Sequence, residues 1–403
     1  MQRLRATTIA LAVTGSIAAY KSAALARSLV QRGARVLPVM TRGAQKFLGA
    51  ATLSGITGEA VSDDMWDASF AGEMHVSIAD AADALVIAPA TADVLARLAS
   101  GRADDLVTAI ALCAKGPILV APAMHPRMWG HPATQANVAR LIEHGRVQFV
   151  GPVFGEVASG DRGFGRMSEP DDIAAALVAA LSPKDLATRR VLITAGPTFE
   201  DMDPVRFIGN RSTGKMGFAI AERASARGAT VTLVAGPVTL ATPRGVRRID
   251  VRSAVEMREA MWQVASPDLS GVDAVIMAAA VADYRFSAIA PYKSKKQGEV
   301  VSISLLRNPD IIAEFGAART GAFPALVAFA LETIGGAALV EEARRKLRSK
   351  RVDVVVANEA RSSLGGDDAS VLLVDEISHA PVPLASKHDI ADAILSAVAR
   401  RLV

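Results

Sequence analysis

Short apolar runs that do not alternate with polar residues recur along this chain, each followed by a turn and then an amphipathic stretch. In the first half the runs are IALAVT (9–14), RVLPVM (35–40), ALVIAPA (84–90) and PILVAPA (117–123), separated by helix-like stretches such as SAALARSLVQR and TADVLARLAS. A strand that is apolar on both faces has to be covered on both, so the pattern predicts parallel sheets wrapped by helices. Near residues 182–190 the helical IAAALVAALS meets Pro183 and the charged stretch KDLATRR, which reads as a linker. Beyond it the pattern starts again with VLITAG, TVTLVAG, AVIMAAA, ALVAFA and VDVVVAN. The expected fold class is therefore α/β, with two doubly wound parallel-sheet domains at 1–182 and 186–403.

Composition narrows the function classes. A net charge of +4 over 403 residues is too small for a nucleic-acid coat, and an aromatic content of 4% is too low for stacking platforms on single strands. The first 182 residues are charge-balanced, so the whole excess lies in the second half. The single cysteine, Cys113, excludes an intramolecular disulfide or a cysteine-based zinc cluster; it reads as a core residue and fits a reducing compartment, the cytoplasm. The six histidines show no HExxH or other close ligand spacing, so no protein-built metal site is expected. Arg3, Arg5 and the apolar run after them imitate a signal peptide, but the favoured reading is a first buried strand from Thr7 to Thr14 with a helix from about Ala18 to Gln31. No run reaches the roughly 18 apolar residues of a membrane span.

In wound sheets, ligands sit at the carboxyl ends of the strands. In the first half that gathers Gly15, Ser16, Thr41, Pro89, Ala90, Thr91 and the loop AMHPRMW around one crevice. Gly15-Ser16-Ile17-Ala18 falls where the first strand turns into its helix. Exposed amides there either close a tight turn or hold a phosphate. It is not GxGxxG, so a mononucleotide fits better than a dinucleotide. His75 and His125 are each open to a structural or a catalytic reading, His125 having the stronger position on a strand-end loop.

GSIAAYK (15–21), His75, APATAD (88–93), ADDL (103–106), PAMHPRMW (122–129) and SGDRGFGRM (159–167) together resemble the flavin-dependent cysteine decarboxylases of the phosphopantothenoylcysteine type. The resemblance implies a flavodoxin-like fold, bound FMN and a homo-oligomer with sites between subunits. It places FMN on Gly15, Ser16, Ile17, Ala18, Thr41, Pro89, Ala90 and Thr91, and substrate on His125 and Met128. In that chemistry the flavin oxidises a cysteine-derived thiol to a thioaldehyde, and the adjacent carboxylate is then lost easily as CO2. By the resemblance His75 assists the oxidation and the PAMN-type loop holds the leaving carboxylate. Two positions depart from the motifs. His125 stands for the usual asparagine, and Ser159 for the cysteine that protonates the enethiol. A histidine can still donate to a carboxylate, whereas an alcohol is a far weaker acid than a thiol.

In the second half, Gly209 to Met216 misses GxxxxGK(S/T) by its last residue. Met216 brings no hydroxyl for Mg2+ and the strand VLITAG ends well upstream, so the P-loop reading fails. A polar loop opening a helix near Lys215 remains an anion seat. Gly196, Pro197, Thr198, Asp203, Arg206 and Asn210 crowd around it. Lys293, Lys295 and Lys296 lie in the run KSKK, and Lys346 and Lys350 are spaced to face one side of a helix. Such charge is either a solvated face or, where strand ends converge, a polyphosphate seat.

AGPTFEDMDPVRFIGNRSTGKMG (195–217), AAAVADYR (278–285), KSKK, RNPDI (307–311), AFALET (328–333) and KLRSKRVDVVVAN (346–358) resemble phosphopantothenate–cysteine ligase. The resemblance implies a Rossmann-like domain in which 4'-phosphopantothenate attacks CTP, releasing pyrophosphate, and cysteine then displaces CMP from the acyl cytidylate. It places Asn210 on the intermediate, Arg206 on substrate and Lys293 among the catalytic groups. Met277, Ala278, Ala279, Asp283, Lys293, Asn308, Pro309, Asp310, Ile311, Phe329, Lys346 and Lys350 would hold CTP, with Mg2+ bridging the triphosphate. KSKK departs from the usual KIKK by one solvent-tolerant change. Ligase activity joined to decarboxylase activity in one chain is the expected function. The alternative keeps the ligase and makes the first half an FMN-binding assembly module. An NAD-dependent reductase has only the generic α/β pattern in its favour.

Overall fold

The computed structural model describes residues 4–295, 302–332, 335–359, 366 and 368–402. The chain divides into two compact units, Met1–Ser182 and Pro183–Val403.

The first unit runs β1 (Thr8–Val13), α1 (Tyr20–Gln31), β2 (Arg35–Met40), α2 (Ala50–Thr57), α3 (Met74–Ala81), β3 (Ala84–Ala90), α4 (Ala92–Ala99), α5 (Leu106–Cys113), β4 (Ile118–Pro122), α6 (Pro126–Trp129), α7 (Pro132–Glu143) and β5 (Val147–Phe149), followed by β6 (Val153–Glu156), β7 (Arg162–Arg166) and α8 (Pro170–Leu181). The five-stranded sheet has the order β2-β1-β3-β4-β5, parallel throughout. This is the flavodoxin-like order, whose switch point lies between the first and third strands. Every residue of β3 is buried, as its unbroken apolar run requires. Alternate residues of β1 serve opposite cores. Ile9, Leu11 and Val13 pack with α1 and α8, while Ala10 and Ala12 face the cluster that holds α3, α4, α5 and α7. Each large aliphatic side chain buried this way contributes about 1.5–3 kcal/mol. β6 and β7 form an antiparallel hairpin outside the sheet, from a segment whose glycines gave no strand signal in the sequence. Cys113 closes α5 and is only half-buried against its cluster, rather than fully in the core.

The second unit comprises β8 (Arg190–Ala195), β9 (Phe199–Asp201), β10 (Phe207–Gly209), α9 (Lys215–Ala226), β11 (Thr230–Ala235), β12 (Val246–Asp250), α10 (Ala254–Ala265), β13 (Ala274–Met277), β14 (Tyr284–Phe286), β15 (Leu305–Arg307), α11 (Ile311–Ala318), β16 (Ala325–Glu332), α12 (Gly336–Lys350), β17 (Val354–Glu359), β18 (Asp368–Val374), β19 (His379–Ser386) and α13 (Lys387–Ala399). Its eight-stranded sheet is ordered β12-β11-β8-β13-β16-β17-β18-β19. The first six strands are parallel and, in their own sequence, run 3-2-1-4-5-6, the doubly wound order with its switch point between β8 and β13. β18 and β19 add an antiparallel margin that the apolar runs did not announce. Pro381 and Pro383 lie in β19, the outermost strand, where a missing N–H is tolerated.

The segment read as a linker belongs in part to the second unit. Leu186 is fully buried in its core, and Asp185 holds the buried Arg227, with Nε to Oδ1 at 2.9 Å. A strongly charged stretch here hides one apolar anchor and one ion pair, which composition alone does not separate from a solvated connection.

Candidate functional sites

In the first unit, hydroxyls after β1 and in α1 tie to the end of β3, and the Ala123 amide after β4 donates to the Ala90 carbonyl at 3.0 Å. Thr14 Oγ1 donates to the Pro89 carbonyl at 2.7 Å and accepts from the Thr91 amide at 3.2 Å, and Ser22 donates to the Ala88 carbonyl at 2.7 Å. Ser16 caps the short 3-10 turn Ile17–Ala19, its hydroxyl accepting from the Ala18 amide at 3.3 Å. Thr41 and Thr91 likewise accept from amides three residues on, Ala44 and Val94. The turn opens onto a cavity of about 530 Å3. Its walls are mostly apolar, from Ile17, Ala18, Ala123, Met124 and Met167, with polar groups from Ser16, Tyr20, Lys21, His125 and Ser159. The buried Lys21 ammonium donates to Glu169 at 2.9 Å and to the Met167 carbonyl at 3.3 Å.

Of the residues expected around this crevice, Ser16, Ile17, Ala18, His125 and Ser159 line the cavity together. Gly15, Thr41, Pro89, Ala90, Thr91, His75 and Met128 are not part of that lining. His75 lies in the first turn of α3, half-buried, and Met128 is exposed on α6. An apolar slot ending in a serine hydroxyl, a turn of amides and a lysine fits a flat, phosphate-tailed flavin.

Beside the cavity, His125 and Ser159 share a partner, Asp161, that motif reading left without a task. His125 caps α6, its Nδ1 accepting from the Arg127 amide at 3.2 Å. Its Nε2 lies 2.6 Å from Asp161 Oδ2, and that same oxygen accepts the Ser159 hydroxyl at 3.2 Å. The bonds from His125 and then Ser159 hold the Asp161 carboxyl below its ordinary range. The hairpin reaches the His125 loop because residue 165 is glycine. A Cβ there would stand 2.3 Å from the Met124 carbonyl, where Met124 N now donates to Gly165 O at 2.9 Å.

In the second unit the site is laced around the β8/β13 switch point. The Thr194 hydroxyl accepts from the Ala279 amide at 3.1 Å, the Thr198 hydroxyl from the Ala282 amide at 2.9 Å, and the Gly196 carbonyl from the Ala280 amide at 2.8 Å. Asn210 Nδ2 donates to the Val281 carbonyl and Asn308 Nδ2 to the Ala282 carbonyl, both at 2.8 Å. Residue 236 must be glycine because the Pro197 carbonyl crosses it; an added Cβ would lie 1.7 Å from that oxygen.

Asp203 is buried and accepts five hydrogen bonds: from the Val205 and Arg206 amides, from Arg206 Nε and Nη2, and from the Ser294 amide. The Arg206 guanidinium, foremost, holds this carboxyl far below its usual range. Arg206 thus binds the segment carrying Lys293 and Lys295 to its own loop, donating also to the Ser294 carbonyl at 2.9 Å. Lys296 and Thr333 lie outside the described residues.

Lys346 pairs with Glu332 at 2.5 Å and Lys350 with Asp310 at 3.0 Å, so both ammonium groups do turn toward the strand-end side of α12, each holding a carboxylate. Asp310 caps α11, Ile311 is buried beneath it, and Phe329 is half-buried on β16, whose Ala328 is registered with Met277. Asp283 is exposed at the loop's end, its carbonyl accepting from the Asn308 amide at 2.8 Å. A cavity of about 210 Å3 in this unit lies between Phe199, Asp201, Arg252, Arg285 and Phe286, and none of the expected CTP contacts lines it. Among the described residues no group of three or more His, Cys, Asp or Glu side chains is placed to hold a metal ion, and no helix is long and apolar enough to cross a membrane.

Two doubly wound sheets, the first with an apolar cavity at the turn after β1 and the second with a braced loop at its switch point, define a two-domain α/β protein of the flavoprotein type. The Flavoprotein family model matches residues 1–182, and the model for the C-terminal domain of the DNA/pantothenate metabolism flavoproteins matches 186–402. The chain is 44% identical to the coenzyme A biosynthesis bifunctional protein CoaBC of Vibrio cholerae over 402 residues, covering 98% of each chain. It is 41% identical to the protein of that name from Escherichia coli, covering 98% of this chain and 97% of the relative. The solved C-terminal domain of a CoaBC protein is 37% identical, with a TM-score of 0.46, covering 54% of this chain and 98% of that one. The chain belongs to the CoaBC family. It is a phosphopantothenoylcysteine decarboxylase joined to a phosphopantothenate–cysteine ligase.

Proposed function

We propose that the second unit ligates cysteine to 4'-phosphopantothenate through an acyl cytidylate formed from CTP, and that the first unit, holding FMN, decarboxylates the product to 4'-phosphopantetheine. The observation that carries the ligase reading is the loop 279–283, fixed on one side by Thr194, Gly196 and Thr198 and on the other by Asn210 and Asn308. Five groups from three segments hold its backbone in place, so a nucleotide meets a preorganised loop rather than one that must be ordered on binding. Lys346 and Lys350 supply charge for the triphosphate, exchanging their carboxylates for phosphate oxygens. Mg2+ enters with the nucleotide, since the described side chains offer it no cluster. Lys293 approaches from the segment that Asp203 and Arg206 secure.

In the first unit, Ser16 and the amides of the 3-10 turn hold the FMN phosphate, with Lys21 at the same end, and the apolar walls hold its ring. FMN supplies the two-electron oxidation that makes loss of CO2 easy. His125 and Ser159 meet the reacting end of the substrate. His75, which does not line this cavity, completes it from a second copy of the chain in a homo-oligomer. Incubating the purified protein with 4'-phosphopantothenate, cysteine, CTP and Mg2+ and weighing the products tests both halves. Phosphopantetheine is expected. Accumulated phosphopantothenoylcysteine would favour the assembly-module reading, which Ser159 in place of a thiol motivates, and no ligation at all would refute the assignment of the second unit.

A further inference from the structure

Both ring nitrogens of His125 are committed inside this chain. Nδ1 accepts the Arg127 amide, so the neutral ring carries its proton on Nε2, and Nε2 faces Asp161 Oδ2 at 2.6 Å. The Ser159 hydroxyl reaches that oxygen at 3.2 Å and Arg127 Nη2 lies 3.5 Å from it. The two positions that depart from the resembled motifs, histidine for asparagine and serine for cysteine, therefore share one acceptor.

This sharing has a physical reason. An asparagine amide presents its donors on one rigid plane, whereas an imidazole can swing about its stem and a hydroxyl proton rotates freely. One carboxylate oxygen accepting from both removes the two freedoms together. The remaining charges of the cavity lining are Glu156, Lys21 and Arg166, the last two both paired with Glu169, and Arg127 lies beside Asp161.

We propose that Asp161 is a positioning residue of the decarboxylase: by accepting from the Nε2–H of His125 and the hydroxyl of Ser159 it fixes both side chains in one orientation, so that the two exchanged residues meet the substrate as one hydrogen-bonded unit. The inference rests on the decarboxylase reading of the first unit. Asp161 is about half exposed, with its side chain at 49%, so replacing it leaves the core untouched.

Two measurements on the full chain test it. In proton NMR of the 15N-histidine-labelled protein, the His125 Nε2–H should resonate far downfield in the parent, vanish in Asp161→Ala and return in Asp161→Glu. In the FMN-loaded protein, CO2 release from phosphopantothenoylcysteine should fall about 10- to 100-fold in kcat for Asp161→Ala, the scale on which metal-bound histidines respond to loss of a partner carboxylate. The same substitution in a His125→Asn background should cost less than about threefold, because an amide needs no such aiming. An unchanged Nε2–H signal in Asp161→Ala, or equal losses in the two backgrounds, would overturn the proposal. A parent protein that binds no FMN and releases no CO2 would instead defeat the decarboxylase reading, while the NMR signal would still decide the role of Asp161.

Discussion

Asn210 and Asn308, almost a hundred residues apart in the chain, donate to the consecutive carbonyls of Val281 and Ala282. The two amides thereby hold one loop at neighbouring carbonyls, at the point where the sheet of the second unit changes winding direction. Asn308 is the buried member and also accepts from Arg285 Nη1 at 3.1 Å. Asn308→Ala leaves the Ala282 carbonyl without its donor, at a cost of about 1–3 kcal/mol. It should lower the urea midpoint and raise KM for CTP while decarboxylation persists. Asn210→Asp sets an oxygen against the Val281 carbonyl and should impair acyl-cytidylate formation, read as CTP-dependent pyrophosphate release; normal release would remove Asn210 from the site.

Lys346 and Lys350 are partly exposed and each pairs with one carboxylate, so each pair contributes only about 0–1 kcal/mol to folding. Their weight falls on the nucleotide. Lys346→Met and Lys350→Met should each leave the melting temperature within a few degrees of the parent and raise KM for CTP about tenfold or more. A large loss of stability with unchanged KM would show that the pairs serve the fold alone.

Asp203 provides an acid-sensitive latch. Its folded-state pKa lies below the unfolded value of about 3.9. The stabilisation is therefore fully present above that value and is lost as pH falls toward the folded pKa. Asp203→Asn should be less stable than the parent at pH 7, and the gap should narrow between about pH 5 and pH 2. Urea midpoints across that range measure it; a gap constant with pH would assign the effect to packing.

Gly165→Ala forces a methyl group toward the Met124 carbonyl, a contact of 2.3 Å unless the hairpin moves. Displacing the hairpin separates Asp161 from His125. Decarboxylation should fall sharply while CTP-dependent ligation continues at the parent rate, and equal losses in both activities would indicate general misfolding instead.

Mixed oligomers test the place of His75. If His75 and His125 meet only across copies, His75→Ala and His125→Ala proteins, each inactive in decarboxylation, should regain about a quarter of the parent activity per site when refolded together at equal ratio. No recovery would place both residues in one chain's site.

Much of this was legible in the sequence, and the reason differs from place to place. The unbroken runs of β1, β3, β8 and β13 revealed two wound sheets because burial on both faces leaves no room for polar alternation. The order of strands, the margin made by β18 and β19, and the hairpin of β6 and β7 depend on pairings between distant segments, which local periodicity does not encode. At the sites, motifs named His125, Ser159, Lys346 and Lys350, but not their pairing with the carboxylates that face them. Asp161 lay inside a quoted motif, yet its role appears only once a hairpin folds it onto a loop 36 residues away. Glu332 and Asp310 are likewise partners by tertiary contact. Arg206, expected on substrate, also pairs with the buried Asp203, a contact that the motif did not announce.

The prolines of β19 bear on how the enzyme behaves when crowded. A sheet margin is a template on which stray chains can stack, and Pro381 and Pro383 interrupt its ladder of amide donors at two points close together. The widest sheet in the molecule therefore ends in a strand that discourages its own extension, guarding against fibrous self-association without spending a residue of either catalytic centre on it.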